Sequence, residues 1–350
     1  MAEMMKFGDF ASFRYGKMPI KKKITESGKY PIYSGYRYVG FYDEYNTEAD
    51  QLIIVARGVG GTGDVKLTKD RCYLTNLSIA ANIDSNVVLP EYLYYYFKPR
   101  SLRYLDSGSA QSQITISDLE RVIIPIPPLS DQKAICSYLK LLDVKIQNNK
   151  NINENLEQQI EAIFNNKYAP SLCSPNWVVG TIGDVVTLQR GYDLPKDKMV
   201  SGSYPVAGST DTIFYHNEYT TEAPCVVMGR SGNIGKPRLY MERCWAHNTT
   251  LFVKDFKGNN PYWSYYMLRN IDYSQFRGGS AVPTLNRNHV HSFEISIPPV
   301  SQQNEFAEII LPLLLLIENN RKEIKRLSTL REALLPKLMA GEFDVSNIQL

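Results

Sequence analysis

The sequence predicts an α+β protein in which two β-rich domains, related by internal duplication, are joined by two long antiparallel helices that form a coiled coil. Two observations support this fold class. The 350-residue chain repeats its own motifs in the same order, and each copy ends in a long stretch with apolar residues at helical spacing. A chain of this length can also bury two separate hydrophobic cores.

The duplication extends through nearly the whole chain. Gly8 matches Gly183 at an offset of 175 residues, and Pro128 matches Pro299 at an offset of 171 residues. Further matches between these ends are Tyr30-Pro31 with Tyr204-Pro205, Arg71-Cys72 with Arg243-Cys244, and Gly108-Ser109-Ala110 with Gly279-Ser280-Ala281. Because the offset changes so little, the halves are copies that differ by small loop deletions.

The first part of each copy is predicted to consist of short strands and turns, since β-branched and aromatic residues alternate with glycines there. One short helix is predicted in each, over residues 90–97 and 261–269, with proline near its start. The predicted organisation is a domain over 1–129, a helix over 130–166, a linker over 167–177, a second domain over 178–300, a second helix over 301–340 and a tail over 341–350.

The two long helices each carry one apolar stripe. Ser130 and Ser301 follow a Pro-Pro pair and are expected to cap them, while Pro312 and Pro336 are expected to kink or break the second helix. Each stripe could pack on its own domain, but both helices exceed what a domain of this size covers, so we expect them to cover each other. The stripes are Ile135, Leu139, Leu142, Ile146, Ile152, Leu156, Ile160 and Ile163, and Phe306, Ile310, Leu313, Ile317, Ile324, Leu327, Leu330, Leu334 and Leu338.

Composition is typical of a globular protein, with 43% hydrophobic and 21% charged residues. No apolar run is long enough to span a bilayer and the N-terminus lacks the apolar core of a signal peptide, so we expect no membrane partner. Five cysteines without a CxxC pair favour free thiols in a reducing cytoplasm. The net charge of +3 is low for a protein that holds DNA alone, so basic residues are either clustered or supplemented by a partner.

Two segments come close to catalytic motifs. Gly58–Gly63 matches G-x-G-x-x-G, but the residues after it look like a strand instead of the helix that a dinucleotide or methyl-donor site needs. Asn259-Asn260-Pro261-Tyr262 resembles the motif by which adenine methyltransferases hold the target amine, without its second proline. We therefore expect a glycine turn and a loop entering the short helix, and we identify no catalytic residues and no metal site.

Because these motifs occur in the same order in both halves, the sequence resembles the specificity subunit of type I restriction–modification systems along essentially the whole chain. The features that carry the resemblance are the tandem repeat, the opening hydrophobic-Gly-Asp, the Arg57 and Arg230 glycine turns, the Gly-Ser-Ala segments, the Ile-Pro-Pro segments, the Ser-x-Gln openings at 130–132 and 301–303, and the tail over 334–342.

The resemblance implies a non-catalytic, cytoplasmic DNA-reading subunit. Each β-rich part would be a target-recognition domain that reads one half of a bipartite site in double-stranded DNA. The helices would set the spacer and, through their stripes, dock two methyltransferase subunits, which would bind S-adenosylmethionine and flip the adenine. A restriction and translocation subunit could join them. Because the loops of the two halves differ, we expect two unlike half-sites.

Candidate DNA-reading residues are polar side chains on loops, because base edges are read by hydrogen-bond donors and acceptors. Arginine adds a fork-shaped donor for guanine or phosphate. Turn chemistry or bracing of the fold is the alternative role for each of them. The candidates are Tyr36, Arg37, Arg57, Gln111, Ser112, Gln113, Thr210, Asp211, Arg230, Ser231, Thr284, Asn286 and Arg287.

Three other functions stay open at this point. A specificity subunit of a type IIB-like fused methyltransferase–nuclease would have one polypeptide as its partner. A coiled-coil scaffold with protein-binding heads would show no DNA sequence preference. A compact adenine methyltransferase would bind the methyl donor by itself.

Overall fold

A computed structural model describes residues 2–35, 37–58, 61–106, 113–172, 174–276 and 284–342. The chain divides into two compact units. Unit 1 comprises Met1–Gln147 and Ile324–Leu350, and unit 2 comprises Asn148–Glu323. Two long helices, α4 (Leu129–Lys167) and α8 (Val300–Met339), contribute residues to both units.

Unit 1 contains three small sheets, with strand orders β1-β9, β2-β8-β5-β6 and β4-β3-β7. Neighbouring strands are antiparallel except β3 and β7, which are parallel. Its other elements are β1 (Glu3–Lys6), α1 (Phe7–Phe10), β2 (Ala11–Tyr15), β3 (Tyr30–Ser34), β4 (Arg37–Tyr42), β5 (Leu52–Val55), β6 (Val65–Leu67), β7 (Tyr73–Leu74), β8 (Ser78–Ile83), α2 (Pro90–Phe97), α3 (Ile116–Glu120) and β9 (Ile123–Ile126).

Unit 2 repeats this topology strand for strand, in the orders β10-β18, β11-β17-β14-β15 and β13-β12-β16. The predicted internal duplication is therefore confirmed. The elements are β10 (Val178–Thr181), α5 (Ile182–Val185), β11 (Thr187–Arg190), β12 (Ser201–Ala207), β13 (Thr212–His216), β14 (Cys225–Gly229), β15 (Gly235–Tyr240), β16 (Trp245–Ala246), β17 (Thr250–Asp255), α6 (Pro261–Arg269), α7 (Arg287–His291) and β18 (Glu294–Ile297).

Both short helices have the predicted bounds, 90–97 and 261–269. Gly58 and residues 61–63 of the G-x-G-x-x-G segment lie between the antiparallel strands β5 and β6, as the strand-turn interpretation predicts, and its residues 59 and 60 lie outside the described residues. Asn260 caps α6, because its side chain accepts hydrogen bonds from the backbone N–H groups of Tyr262 (3.0 Å) and Trp263 (3.4 Å). The segment that resembled a methyltransferase motif is therefore a helix cap.

The expectation that Pro312 and Pro336 break the second helix is wrong. Helix α8 continues through both residues to Met339. Both prolines lie on its exposed side, where a carbonyl that loses its helical N–H partner can bond to water instead. The stripe is also less continuous than predicted, because Ile152 and Leu330 are 45% and 41% exposed.

The two long helices run antiparallel. In unit 1 the early part of α4 meets the late part of α8, where Arg331 donates to Asp143 at 2.5 Å. In unit 2 the late part of α4 meets the early part of α8, where Lys167 donates to Glu305 at 2.6 Å.

Each unit buries segments of both helices in its core. In unit 1, Leu139 of α4 and Leu335 of α8 belong to the same apolar cluster as the head residues Tyr92 and Ile124. In unit 2, Phe164 of α4 and Phe306 of α8 join Trp263 and Tyr266 of α6. The predicted stripe residues that are buried are Ile135, Leu139, Leu142, Ile146, Leu156, Ile160, Phe306, Ile310, Ile317 and Leu338, and those that are half-buried are Ile163, Leu313, Ile324, Leu327 and Leu334.

The repeated Ser-x-Gln motif anchors each helix through glutamine. Helix α4 begins at Leu129 and helix α8 at Val300, so Ser130 and Ser301 lie inside their helices and the prediction that they cap them is wrong. The Ser130 hydroxyl donates to Asp131 (3.0 Å). Fully buried Gln132 accepts from the Leu89 N–H (2.8 Å) and donates to the carbonyls of Val87 (3.0 Å) and Pro127 (2.9 Å).

Gln303 makes the equivalent contacts in unit 2. It accepts from the Asn260 N–H (2.8 Å) and donates to Asn259 (2.9 Å) and to the Pro298 carbonyl (3.0 Å). Because each glutamine satisfies backbone groups on the loop before the short helix, it fixes where the long helix meets its head.

Buried asparagines interrupt the apolar contact between the helices in unit 2. Asn320 donates to the side-chain oxygen of Asn153 at 2.8 Å, and Asn153 donates to the Ile317 carbonyl at 3.3 Å. Asn149 donates to Glu323 at 2.7 Å. A slip of one helix along the other would leave these buried groups unpaired, so the layer favours one register.

We predict that Asn320→Ala lowers the free energy of unfolding by about 1–3 kcal/mol, because it leaves the Asn153 oxygen buried without its donor. The neighbouring exposed Asn319 is the matched control, since Asn319→Ala gains the same helix propensity without touching the layer. Urea unfolding followed by circular dichroism measures both. Equal stability of the two variants would contradict the role given to the layer.

Candidate nucleic-acid interface

Three chain segments meet at one edge of the four-stranded sheet in unit 1. Beyond the end of β5, the N–H groups of Ala56 and Arg57 donate to the Leu77 carbonyl at 2.9 and 3.1 Å. The Ile114 N–H donates to the Ala56 carbonyl at 2.9 Å, and Arg57 pairs with Gln113 in an antiparallel bridge. Two predicted site residues, Arg57 and Gln113, are therefore neighbours. We call this region the loop edge of unit 1.

The turn between β3 and β4 lies against the same edge. Gly35 has a φ of 58°, and a Cβ on it would lie 3.4 Å from the Arg57 carbonyl oxygen and 3.5 Å from a methyl group of Val55. Exposed Arg37 begins β4 immediately after this turn. The predicted residues Tyr36, Gln111 and Ser112 lie outside the described residues.

Unit 2 has an equivalent loop edge. The N–H groups of Arg230 and Ser231 donate to the Thr249 carbonyl at 2.9 and 3.3 Å, and the Leu285 N–H donates to the Arg230 carbonyl at 2.8 Å. Ser231 bridges Thr284, as Arg57 bridges Gln113. The structure thus brings together the predicted residues Arg230, Ser231 and Thr284.

The turn that carries Thr210 and Asp211 also lies at this edge. A Cβ on Gly229 would lie 3.0 Å from the Ser209 carbonyl oxygen. Both Thr210 and Asp211 are exposed. The polar turn that differs between the copies therefore occupies corresponding positions in the two units.

The two loop arginines are not equivalent, although the sequence pattern suggested that they were. The backbone contacts match Arg57 with Ser231 and Ala56 with Arg230. Because neighbouring residues of an extended segment point to opposite sides, a shift of one position aims the two guanidinium groups differently. The two loop edges consequently present different hydrogen-bond donors at equivalent backbone positions.

Basic groups that the sequence analysis missed lie beside the edge of unit 2. Arg238 on β15 bonds to the Gly208 carbonyl and lies 4.0 Å from Asp211, so it braces the turn. A groove of about 560 Å³ adjoins it and includes Lys236 and Arg269 in its lining. The internal repeat could have revealed Arg238, because this residue corresponds to Lys66 of unit 1. Arg238 pairs with Val227 in the sheet of unit 2, as Lys66 pairs with Ile53 in unit 1.

Asn286 and Arg287 lie at the start of α7. The Asn286 side chain accepts from the Asn288 N–H at 2.9 Å, which caps the helix. Thr115 caps α3 in the same way through the Asp118 N–H, at 3.2 Å. Arg287 is exposed on the first turn. The cap accounts for the side-chain oxygen of Asn286 and leaves its amide hydrogens outward.

Histidine and cysteine side chains have structural contacts. The Leu188 N–H donates to Nε2 of His291 at 2.9 Å. Four cysteines are buried free thiols, as predicted for Cys72, Cys136, Cys225 and Cys244. Burial raises the pKa of Cys72 to about 11 and that of Cys136 to about 12, so both stay protonated at neutral pH. Within the described ranges, no three His, Cys, Asp or Glu side chains cluster as metal ligands.

Within the same described ranges, no helix combines the length and apolar character that crossing a bilayer requires.

A chain of two duplicated units, each with one loop edge, is the organisation of a known protein family. A family model described as "Type I restriction modification DNA specificity domain" matches residues 2–158 and again residues 175–329. The chain belongs to this family, and each match covers one copy of the repeat.

Individual relatives agree with this assignment. A type I restriction enzyme specificity subunit of Methanocaldococcus jannaschii is 24% identical over 326 residues, which cover 78% of this chain and 74% of that protein. A putative type I specificity subunit of Mycoplasma genitalium is 23% identical over 355 residues, which cover 92% and 90%. The crystal structure of a type I restriction–modification S subunit from M. genitalium has the same fold, with a TM-score of 0.72, 19% identity and coverage of 96% and 95%.

We predict that the stability of unit 2 falls as the pH drops below the ordinary histidine pKa of about 6.5. Burial, followed by Lys257 and Arg287, lowers the pKa of His291. A lowered folded-state pKa gives stability that is present above the unfolded pKa and is lost as protons bind.

The measurement is urea unfolding at several pH values between 7.5 and 5. His291→Ala should reduce the pH dependence, and the change at exposed His289 to alanine serves as the control. Burial lowers the pKa of His247 as well, so part of the dependence should persist. An unchanged slope in the His291 variant would refute the assignment.

Proposed function

We propose that each unit reads one half of a bipartite site in double-stranded DNA and that the chain is the specificity subunit of a type I restriction–modification complex. The observation that carries the proposal is the loop edge, which occurs once per unit on the same backbone with different side chains. Arg57 and Gln113 stand in unit 1 where Ser231 and Thr284 stand in unit 2. A shared scaffold with unlike polar edges is suited to reading two different sequences.

The chemistry of the edges fits contact with base edges and phosphates. Glutamine can pair with adenine through both the oxygen and the nitrogen of its amide group, and arginine can pair with guanine or phosphate. Within the described part of the chain, Arg57 Nε is buried without a hydrogen-bond acceptor, which leaves that guanidinium poised for an acceptor once the loop adjusts to DNA. The groove with Lys236 and Arg238 offers positive charge for the backbone.

Partner subunits would supply the catalysis. Two methyltransferase subunits would carry S-adenosylmethionine and flip the target adenine, and a restriction and translocation subunit could join them. The net charge of +3 supports a shared grip on DNA, since partners would neutralise part of the phosphate charge. The complex would act in the cytoplasm.

The long helices would set the spacer between the two half-sites and bind partners. Their buried stripes are occupied by packing inside the units, so a partner would use side chains that face outward. Those large apolar residues, each more than 40% exposed, are Leu141, Val144 and Ile152 on α4 and Val300, Ile309, Leu315, Leu316 and Leu330 on α8.

The first test is co-expression with a methyltransferase subunit encoded beside this chain, in a host free of DNA methylation, and mapping of N6-methyladenine by single-molecule sequencing. We expect a motif of two unlike halves with a fixed gap, and exchange of residues 1–129 should change one half only. Methylation of a short continuous motif would reject the two-edge arrangement. A stable complex without methylation would favour a protein-binding scaffold.

We predict that Gln113→Ala relaxes recognition of one half-site and that Thr284→Ala affects only the other. A lost bidentate base contact corresponds to about 1–3 kcal/mol of discrimination, or roughly 5- to 150-fold in relative affinity. Competition binding with oligonucleotides altered at single positions measures the effect. A uniform loss of affinity for all sequences would instead assign these residues to backbone contact.

A further inference from the structure

An exposed cluster of aromatic and charged side chains lies on the three-stranded sheet of unit 1. The Arg71 guanidinium lies 4.8 Å from the centre of the Tyr45 ring and donates through Nε to Glu48 at 2.8 Å. The rings of Tyr45 and Tyr30 are 5.0 Å apart with planes at 54°. The side chains of Arg71 and Glu48 are more than half exposed.

Unit 2 carries the same cluster with the same geometry. Arg243 lies 4.7 Å from the Tyr219 ring and donates through Nε to Glu222 at 2.7 Å. The rings of Tyr219 and Tyr204 are also 5.0 Å apart, with planes at 58°. We call these two groups the tyrosine–arginine clusters.

Each tyrosine–arginine cluster lies at the end of its small sheet away from the loop edge. Strand β3 begins at Tyr30 and ends at Ser34, beside the turn that reaches Arg57. Strand β7 runs parallel to β3 and begins two residues after Arg71. At about 3.3 Å per residue, the cluster and the turn are separated by roughly 13 Å.

The tyrosine–arginine clusters are alike in both units whereas the loop edges differ, which indicates that the clusters perform the same task in each unit. Residues 44–49 and 218–223 are identical at five of six positions, Glu-Tyr-Asn-Thr-Glu-Ala and Glu-Tyr-Thr-Thr-Glu-Ala. The loop edges differ in side chain, as a reading surface for unlike sequences must. A surface that is the same on both units cannot distinguish two half-sites, so it is suited to something that both units meet in the same form.

The charge around the clusters points to a protein and not to the DNA backbone. Residues 43–50 and 69–71 contain five acidic and two basic side chains, and residues 217–224 and 241–243 contain three and one. Lys29 over the Tyr30 ring and Lys23 beside Glu44 add two basic groups in unit 1, so both surroundings keep an acidic excess. Such a rim repels phosphate. Exposed tyrosine and arginine are the side chains that most often dominate protein–protein contacts.

We propose that the two tyrosine–arginine clusters are a duplicated docking surface, each of which binds one copy of the methyltransferase subunit. This inference rests on the proposed function, which requires two identical partners on one chain. It also explains how identical subunits can attach to units whose loop edges differ. The facing surface of the partner would be basic, to complement the acidic rim, and would offer a recess for the paired tyrosine rings.

The experiment compares the wild-type chain, Arg71→Glu, Arg243→Glu and the double variant, each co-purified with the methyltransferase subunit and weighed by native mass spectrometry. Arg121→Glu is the charge-matched control, because Arg121 is exposed and its counterpart in the repeat is Ser292. We expect two methyltransferase copies on the wild type and control. At a concentration near the wild-type Kd, each single variant should bind one of the copies at least tenfold more weakly and yield mainly a complex with one copy. The double variant should yield mainly the free chain, although the contacts on the long helices remain.

Other outcomes separate the two proposals. A wild-type chain that binds no methyltransferase would reject the proposed function itself. Two copies on every variant would reject the docking surface alone, and a lowered melting temperature with unchanged stoichiometry would identify the clusters as braces of their loops. Unchanged stoichiometry with weaker, less salt-dependent DNA binding would assign them to the DNA backbone, because each lost phosphate contact reduces counterion release. Tyr45→Ser serves as a second variant that leaves the charge unchanged.

Discussion

The antiparallel contact between the two long helices is the interaction on which both units depend. Neither β-rich head closes its own core. Leu335, Leu338 and Met339 of α8 complete the apolar cluster of unit 1, and Ile160 and Phe164 of α4 belong to that of unit 2. A head that lost its helix segments would expose several large apolar side chains, each of which contributes about 1.5–3 kcal/mol when buried.

Around that contact, some features are the same in both units and others differ between them. Gln132 and Gln303 make the same anchoring bonds, and Asp9 and Asp184 accept the N–H groups of Lys6 and Thr181 in the short opening helices. Gly63 has a φ of 89°, and a Cβ there would lie 2.3 Å from a backbone nitrogen, so only glycine fits. Side chains at the loop edge carry no such constraint and differ between units.

Sequence reasoning predicted the elements set by local chemistry. Proline at the first turn and a following aromatic run placed the helix over 261–269, and the constant offset revealed the duplication. It was wrong where tertiary context decides. Pro312 lies on an exposed helix face, so its missing N–H does not end the helix.

The candidate site was predicted less completely. Strands β5 and β14 end at the equivalent residues Val55 and Gly229, but Arg230 follows its strand directly whereas Ala56 separates Arg57 from β5, a shift that cannot be read from a glycine pattern. Arg238 and the tyrosine–arginine clusters escaped notice because their residues are far apart in the chain and are brought together by strand pairing.

The division of the chain also bears on its synthesis. Unit 2 is one continuous segment, whereas unit 1 needs residues from both ends of the chain. A ribosome releases the first head long before it makes the helix segment that covers it, so the unit made first is the unit finished last. Until then the apolar face around Tyr92 and Leu139 stays open to water. Truncation near the end of the chain would therefore uncover the core of the head that is made first.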